Sequence, residues 1–403
     1  MDIVIIGAGL AAAKAAIALR ENGHDGAITI VGDEDHPPYE RPPLSKDFLM
    51  GRSEFEKTVV EPESWYQEHD VRLLTGRTVE AIDPAQHRVT LADGEVISYD
   101  KAILATGAHP RVLDIPGADM ARTLRRVEDS EGLREAIGSA SSAVIIGGGW
   151  IGLEVAAAAR EAGVDVTVLE AAPLPLQRAL GDEMAEYFAE LHRSHGVDLR
   201  TSTGVDSISG SGPVTVTAGG DELTADLVLM GVGAAPNTEL AEKAGLTVDN
   251  GVVVDEHFAS SDPDVLAIGD VARAHNATLG EPVRVEHWDN AIRQGKAVAQ
   301  VLLGNDVAYD WQPYFYTDQY DLGMEYVGHS DPANDVVVRG DTSGGEFIAF
   351  WLDGDRLTAG MNVNVWDVND DIRSLLGRTV DRARLADPDV PLTALTEGEV
   401  AGG

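Results

Sequence analysis

Two glycine-rich turns of the same kind, about 140 residues apart, most constrain what this chain can fold into. The first glycine turn reads GAGLAA (7–12), and the second glycine turn reads GGGWIG (147–152). Each turn follows a short apolar run and precedes an alanine-rich segment and a second apolar run, an order that predicts a strand–helix–strand unit with parallel strands. The chain must therefore accommodate two such units, which are a duplicated site rather than a solenoid repeat.

The first glycine turn has the features of a dinucleotide site. Gly7 and Gly9 permit a tight turn and let a pyrophosphate approach the backbone at a helix N-terminus, where amides and the helix dipole favour negative charge. Ala12 is small enough for close helix–strand packing, and Asp33 follows the next predicted strand, where a carboxylate can accept hydrogen bonds from ribose hydroxyls. A glycine motif alone is weak evidence, but strand, turn, helix, strand and acid in this order predict dinucleotide binding.

The second glycine turn carries the complete glycine pattern, with Gly147, Gly149 and Gly152. Glu170 follows its second strand, where a carboxylate bonds a free ribose 2′-hydroxyl and repels a 2′-phosphate. The next basic residue is Arg178, so no arginine stands close enough in the sequence to bind that phosphate. We therefore predict that this site takes NADH in preference to NADPH.

Two dinucleotide sites in one chain favour FAD and a nicotinamide as the bound pair, because hydride passes between these two without a protein acid or base. The chain contains no cysteine. This excludes a redox disulfide, a thiol nucleophile and an iron–sulfur cluster held by the chain itself. Electrons from the flavin are therefore expected to leave for a separate acceptor.

The acidic composition excludes several classes of partner. A formal net charge of −38 argues against nucleic acid or an anionic membrane. No stretch approaches the roughly 20 apolar residues of a membrane span, and the N-terminal apolar run lacks the basic flank of a signal peptide. We expect a soluble, cytoplasmic protein. His192 and His195 lie three apart on a predicted helix without further ligands nearby, and fit a solvated helix face better than a metal site.

The fold class predicted from these patterns is α/β, with two Rossmann-like dinucleotide-binding domains. Short β-type runs and turn signals after about Tyr320 predict a C-terminal α+β domain. The predicted strands span 2–6, 27–31, 102–105, 142–146, 166–169, 223–232 and 264–268, and the predicted helices span 11–21, 151–162 and 290–303.

Six motifs together resemble one family, in the same order and over nearly the whole chain. They are GAGLAAAKAAIALR (7–20), PPLSK (42–46), LATG (104–107), GGGWIGLE (147–154), GVGAAPN (231–237) and IGDVAR (268–273). This combination is similar to the FAD-dependent ferredoxin reductases, which have a glutathione-reductase-like fold and serve bacterial cytochrome P450s and aromatic-ring dioxygenases. The PPLSK and IGDVAR segments are more specific to this family than either glycine turn.

The resemblance implies a role for each matching position. The FAD site would include Gly7, Gly9, Ala11, Ala12, Asp33, Arg41, Lys46, Val79, Thr106, Gly107, Arg125, Gly269, Asp270 and Trp288. The NADH site would include Gly147, Gly149, Ile151, Gly152, Glu154, Glu170 and Gly233. Lys46 beside the flavin and Glu154 near the nicotinamide would pair as the catalytic residues. A cation at that place also makes physical sense, because it stabilises negative charge on the reduced flavin.

Within the FAD site the resemblance implies finer assignments. Ala11 and Asp33 would contact the adenosine half, and Val79 would support the adenine through its backbone. Asp270 would bind the ribityl hydroxyls, and the amide of Trp288 would face the pyrimidine edge of the flavin.

The resemblance also implies a domain division and an activity. We expect a discontinuous FAD domain (1–109 and 241–320), an NADH domain (110–240) inserted into it, and a C-terminal domain (321–403). The expected enzyme is an NADH:ferredoxin oxidoreductase of EC 1.18.1 type, a monomer or weak dimer without a metal site, which passes electrons to a [2Fe–2S] ferredoxin. Two alternatives remain open: a rubredoxin reductase, which shares the fold and motifs, and an NADH-responsive flavoprotein resembling apoptosis-inducing factor.

Two features depart from the family's pattern. Tyr316 stands where the family often has tryptophan, near the expected partner surface. The chain is also acidic, so it should repel acidic ferredoxins at low salt. A local arginine patch could restore docking, and its candidates are Arg293, Arg339, Arg373 and Arg378.

Overall fold

The computed structural model describes residues 1–395, which fold into two compact units built from interleaved segments. The first unit consists of Met1–Pro43, Ser53–His109 and Ala234–Pro313. The second unit consists of Leu44–Arg52, Pro110–Gly233 and the described residues from Tyr314 onward. The chain therefore passes from the first unit to the second three times and returns to the first twice.

A five-stranded parallel sheet forms the centre of the first unit. In sheet order its strands are Val265–Ala267, Lys101–Leu104, Ile3–Ile6, Ile28–Val31 and Val71–Leu74. The strand Ile3–Ile6 and its neighbour Ile28–Val31 consist entirely of buried residues, as expected for strands covered on both faces. The helices of this unit are Leu10–Glu21, Glu63–Glu68, Glu239–Lys243 and Trp288–Leu302.

Smaller sheets complete the first unit. One antiparallel sheet contains Val79–Asp83, Arg88–Leu91 and Val96–Ser98, and a mixed sheet contains Val252–Val254, Ala272–Asn276 and Glu281–Val283. A two-stranded pair, Ala108–Pro110 with Ala234–Pro236, lies where the chain leaves and re-enters this unit.

The second unit contains a four-stranded parallel sheet of the same kind. Its strands, in sheet order, are Asp198–Arg200, Asp165–Leu169, Ser142–Ile146 and Leu227–Met230. An antiparallel sheet of Val205–Ser209, Val214–Ala218 and Asp221–Ala225 accompanies it. The helices of this part are Val127–Ser139, Trp150–Glu161 and Gln177–Ser194. Two parallel sheets, each with its own glycine turn, confirm the predicted α/β class with two Rossmann-like regions.

The single strand predicted over 223–232 is wrong, because two strands in different sheets occupy this segment. Asp221–Ala225 belongs to the antiparallel sheet, and Leu227–Met230 belongs to the parallel one. Asp226 separates them, and its carboxylate accepts hydrogen bonds from the backbone amides of Ser141 (2.9 Å) and Ser142 (3.1 Å). This contact redirects the chain from one sheet to the other.

A five-stranded antiparallel sheet follows in the last segment. In sheet order its strands are Tyr314–Gln319, Leu322–Gly328, Arg356–Val363, Glu346–Asp353 and Asp335–Asp341, and the helices Asn369–Leu375 and Arg382–Ala386 follow it. The expected domain boundary after residue 320 therefore cuts through a hairpin, since Tyr314–Gln319 pairs with Leu322–Gly328. The three-domain division stays a prediction, with this sheet beginning at Tyr314 rather than at 321.

Candidate functional site

The first glycine turn joins the central strand of the first unit to the helix Leu10–Glu21. Gly7 has φ +105°, and a Cβ there would lie 2.1 Å from the carbonyl oxygen of Ala105, so only glycine fits. Gly9 precedes the helix without a side-chain cap, and a Cβ there would meet nothing within 4 Å. Close packing against Ala105 explains why position 7 must be glycine. At position 9 no protein atom is close, so open space remains in front of the helix amides. These residues fit a pyrophosphate that approaches from outside the protein.

Three neighbouring parallel strands of this sheet end at residues predicted for the FAD site. Ile3–Ile6 ends at Gly7, Lys101–Leu104 runs on to Thr106 and Gly107, and Val265–Ala267 runs on to Gly269 and Asp270. The carboxyl ends of neighbouring parallel strands lie at one edge of a sheet, which is where ligands bind in such folds. The sheet order thus brings these predicted residues together.

Two hydrogen-bonded connections fix these strand ends. The Oγ1 of Thr106 donates to the carbonyl of Asn237 (2.8 Å), and the side-chain amide of Asn237 donates back to the carbonyl of Thr106 (2.7 Å). The amide of Gly269 donates to Oε1 of the buried Gln294 (2.7 Å), on the helix that begins at Trp288. Asn237 and Gln294 are contributions that the sequence patterns did not reveal.

Arg41 lies in a polar cluster near the predicted ribose-binding acid. Its guanidinium donates to Oε1 of Glu34 (2.6 Å) and to the hydroxyl of Tyr39 (3.0 Å), which itself donates to Glu34. Burial alone would lower the pKa of Arg41, but Tyr39 and Glu34 raise it overall. Asp33 is exposed and Val79 is buried in the same unit. The sequence patterns did not identify Glu34 or Tyr39, although Tyr39 lies two residues before Arg41 in the proline-rich segment HPPYERPPL (36–44).

The second glycine turn repeats this geometry in the second unit. Gly147 has φ +104°, and its Cβ would lie 2.4 Å from the carbonyl oxygen of Gly231. A Cβ at Gly152 would lie 2.1 Å from the carbonyl oxygen of Gly147, so close backbone packing requires both glycines. Gly149 precedes the helix Trp150–Glu161 without a side-chain cap, and the nearest atom to a Cβ there is 3.9 Å away. This turn also fits a dinucleotide, with Ile151 exposed in the first helical turn.

Glu170 holds the second glycine turn in place. Its Oε2 accepts a hydrogen bond from the amide of Gly148 (2.7 Å), and its Oε1 accepts one from the amide of Ala172 (2.7 Å). A carboxylate has about four lone-pair sites, so both oxygens retain the capacity to accept further donors. Glu170 therefore has a structural contact with the turn in addition to the predicted contact with a ribose. Gly233 is bonded through its carbonyl to the amide of Arg111 (2.9 Å).

Glu154 is the centre of a buried polar cluster in the second unit. Its side chain is only 4% exposed, and Nζ of Lys46 lies 2.6 Å from its Oε1. The hydroxyl of Thr317 donates to the same oxygen (2.6 Å), and the hydroxyl of Ser45 donates to Oε2. Lys46 also lies 5.4 Å from the ring centroid of Tyr316. The structure thus brings the predicted catalytic pair together and adds Ser45 and Thr317, which sequence patterns did not identify.

The predicted FAD residues do not all lie in one unit. Lys46 and Arg125 belong to the second unit, whereas Asp33, Arg41, Asp270 and Trp288 belong to the first. The backbone amide of Arg125 is held by the carboxylate of Asp129 (2.9 Å), at the start of the helix Val127–Ser139.

The expectation of a solvated helix face is wrong for His192. Its side chain is fully buried, and its Nε2 lies 2.8 Å from Oε1 of Gln319. Burial lowers the pKa of His192 to about 4, while the Gln319 bond raises it and His195 lowers it further. His195 is exposed and stacks on the ring of Tyr320, with centroids 3.7 Å apart. Among residues 1–395 no three potential metal ligands lie together.

The buried His192 predicts a loss of stability in mild acid. Its pKa is about 4 in the folded state, whereas an unperturbed histidine, as in the unfolded chain, has a pKa of 6.5. Between these two pH values the unfolded chain therefore binds one more proton than the folded protein. The free energy of unfolding should therefore fall as the pH drops through this window, by about 3 kcal/mol in total. Urea unfolding of the flavin-bound protein at successive pH values measures the slope. His192→Asn should flatten it, and an unchanged slope would contradict this origin.

One candidate of the proposed arginine patch is not available for docking. Arg339 is only 9% exposed, and its guanidinium donates to the backbone carbonyls of Leu385 (3.3 Å), Pro388 (3.2 Å) and Val390 (2.5 Å). Arg339 therefore fastens the segment after the last antiparallel sheet. Arg293 stacks over the ring of Trp311, 3.6 Å from its centroid, and remains 45% exposed.

None of the helices in the described part of the chain is long and apolar enough to cross a membrane.

Known proteins resemble the chain over almost its full length. A family model for pyridine nucleotide-disulphide oxidoreductases matches residues 1–295, and a reductase C-terminal model matches residues 314–396. Rhodocoxin reductase of Rhodococcus erythropolis is 43% identical, over 90% of this chain and 86% of its own. The ferredoxin–NAD(+) reductase component of the anthranilate 1,2-dioxygenase system of Burkholderia cepacia is 39% identical, over 96% and 98%. The covalent putidaredoxin reductase–putidaredoxin complex contains a chain that matches with TM-score 0.95 at 38% identity, covering 100% and 99%.

Proposed function

This chain belongs to the pyridine nucleotide-disulphide oxidoreductase family and, within it, to the FAD-dependent ferredoxin reductases, and on this premise we propose that it passes electrons from NADH, through FAD, to a [2Fe–2S] ferredoxin. That ferredoxin supplies a cytochrome P450 or a dioxygenase. The observation that carries the proposal is the pair of glycine turns, each with an uncapped helix N-terminus, in a chain without cysteine. Two dinucleotides can bind, and the electrons must leave the chain.

Bound FAD supplies the redox chemistry, because it accepts hydride from NADH and releases electrons singly. The chain's own residues bind and orient. The helix amides behind Gly9 and Gly149 receive the two pyrophosphates, and the carboxylates of Asp33 and Glu170 accept hydrogen bonds from ribose hydroxyls. Asp270 binds the ribityl hydroxyls. These assignments agree with the open space at Gly9 and with the free lone-pair capacity of Glu170.

Lys46 and Glu154 act as a pair in this proposal. The Lys46 ammonium provides positive charge where negative charge develops during reduction, and preorganised charge of this kind is a large contribution to catalysis. Glu154 fixes the ammonium by an ion pair of 2.6 Å in a buried place. A buried charge without a partner is costly, so the removal of either member should destabilise the fold.

We also propose a cytoplasmic location, since NADH is an intracellular reductant.

Stopped-flow reduction by NADH, followed by transfer to a panel of [2Fe–2S] ferredoxins, rubredoxins and cytochrome c, tests this function. We expect fast flavin reduction and fast transfer to a ferredoxin. With an acidic ferredoxin, transfer should accelerate about two- to tenfold between low and physiological salt, since salt screens repulsion from the net charge of −38. Selective transfer to rubredoxin would identify a rubredoxin reductase instead. Reduced protein that persists with every carrier would contradict electron transfer and favour an NADH-responsive flavoprotein.

A further inference from the structure

Thr317, which donates to Glu154, is the end of a longer chain of buried polar side chains in the second unit. Alternate residues of a strand face the same side, so the strand Tyr314–Gln319 places Thr317 and Gln319 on one buried face. The Nε2 of Gln319 lies 3.1 Å from Oγ1 of Thr317, and the Oε1 of Gln319 lies 2.8 Å from Nε2 of His192. The hydroxyl of Tyr320 lies 3.2 Å from Nδ1 of His192. The chain thus runs from Tyr320 through three buried side chains to Glu154.

The donors and acceptors in this chain have only one consistent direction while Glu154 is ionised. A carboxylate only accepts, so the Thr317 hydroxyl donates to Glu154 (2.6 Å) and accepts from the amide nitrogen of Gln319. The amide oxygen of Gln319 only accepts, so Nε2 of His192 carries a proton. The remaining nitrogen of a neutral imidazole accepts, and Tyr320 donates to it. Burial lowers the pKa of His192 to about 4 and thereby keeps the ring neutral, as this direction requires.

The opposite direction requires a different charge on Glu154. If every bond were reversed, the Thr317 hydroxyl would donate to the Gln319 oxygen, and only a protonated Glu154 could then donate to Thr317. The Gln319 amide would also have to rotate, and His192 would have to change tautomer. The direction of the chain and the charge of Glu154 are therefore linked. In the direction that suits an ionised carboxylate, every bond points its positive end toward Glu154, as the donors Lys46 and Ser45 do.

We propose that Tyr320, His192, Gln319 and Thr317 are positioning residues that hold the Glu154 carboxylate in its place and thereby keep the Lys46 ammonium in position for hydride transfer. This inference rests on the proposed function. It gives the buried His192 a role in the site. It also predicts that a change at Tyr320 alters the environment of Lys46, although three hydrogen-bonded side chains separate Tyr320 from Glu154.

Lysine NMR on the flavin-bound, oxidised protein without NADH tests the chain directly. The sequence has six lysines, so labelling lysine at Cε with carbon-13 gives few signals, and loss of one in Lys46→Arg assigns Lys46. Thr317→Val should shift the Lys46 signal. Tyr320→Phe should shift it in the same direction by less, because the ring and its stacking on His195 remain. The double variant should match Thr317→Val alone, since a chain broken at Thr317 transmits nothing from Tyr320.

Two further variants serve as controls. Thr317→Ser keeps the hydroxyl and should restore the wild-type signal. Tyr187→Phe changes a half-buried tyrosine on the same helix as His192, outside the chain, and should leave the Lys46 signal in place. Single-turnover reduction by NADH should slow about tenfold in Thr317→Val and about two- to threefold in Tyr320→Phe, the range expected for one hydrogen bond near a charged group.

Each outcome separates the inference from the proposed function. An unmoved Lys46 signal in Tyr320→Phe, or shifts that simply add in the double variant, would contradict the proposed coupling along the hydrogen-bonded side chains from Tyr320 to Glu154. Shifts as expected with unchanged reduction rates would overturn the positioning role of these side chains. If NADH fails to reduce the wild-type protein, the proposed function is wrong, whereas the NMR comparison still reports on the chain.

Discussion

Lys46→Met is expected to slow reduction of the bound flavin by NADH about a hundredfold, while the flavin stays bound. Methionine has nearly the length of lysine and removes only the charge and its donors. Loss of one preorganised electrostatic group at a reacting centre costs about 10²–10³ in rate. Flavin retention is expected because the other residues predicted to contact the cofactor, apart from Arg125, lie in the first unit. Stopped-flow absorbance measures the rate, and the flavin-to-protein ratio measures retention.

Two companion variants show what the Lys46→Met result means. Lys57→Met changes an exposed lysine in the same part of the sequence and should react like the wild type. Lys46→Met leaves Glu154 buried without a cation, which should lower the free energy of unfolding by about 3 kcal/mol. The double variant Lys46→Met/Glu154→Gln removes both charges and should regain much of that stability, without regaining the rate. A wild-type rate in Lys46→Met would remove Lys46 from the mechanism.

The second large effect is expected at the proposed NADH site, where Glu170→Arg should raise the KM for NADH about 10- to 100-fold. Hydrogen bonds to a charged group contribute roughly 1.5–3 kcal/mol, and the substitution removes the carboxylate that we propose as the acceptor for the ribose hydroxyls. It also removes the bond from the Gly148 amide that holds the glycine turn. The same change replaces a negative charge with a positive one, so kcat/KM for NADPH should rise. Steady-state kinetics with both nucleotides measure the two changes.

Glu170→Gln separates the charge from the turn contact. Glutamine keeps one acceptor oxygen for a backbone amide but cannot repel a 2′-phosphate, so NADPH should improve with a smaller loss for NADH. Glu222→Arg reverses the same charge at an exposed position of the antiparallel sheet and should leave both nucleotides unaffected. Unchanged kinetics for NADH in Glu170→Arg would contradict the assignment of this site.

Local patterns predicted much of the fold because the features concerned are determined by neighbours in sequence. A glycine that must adopt positive φ directly after an apolar run is visible at Gly7 and Gly147, and the strand Ser142–Ile146 was predicted to the residue. The helices begin one or two residues earlier than predicted, directly after the glycine or histidine that precedes them. An apolar run such as 223–232 does not show which sheet each half joins, and the turn at Asp226 depends on contacts 84 and 85 residues away.

The candidate site was less accessible to sequence patterns because its contacts are distant in the chain. Thr317 and Glu154 are 163 residues apart, and His192 and Gln319 are 127 apart. The local sequence around a threonine in a strand or a histidine in a helix does not indicate such a distant hydrogen-bond partner. Lys46 and Glu154 were linked only through the family resemblance. His192 can be buried because Gln319, which is remote in the sequence, bonds its imidazole, and a polar residue on a buried helix face needs such a partner.

The order of strands in the first unit has a consequence for synthesis of the chain. The strand Val265–Ala267 lies at the edge of the five-stranded sheet, beside Lys101–Leu104. A ribosome makes it after the whole four-stranded sheet of the second unit, whose last strand in sequence is Leu227–Met230. At about 5–20 residues per second, the earlier strands of the first unit wait for seconds before their sheet can close. The five-stranded sheet, whose first strand is made first, is thus completed after the four-stranded sheet, which can form while the five-stranded one still lacks its edge strand.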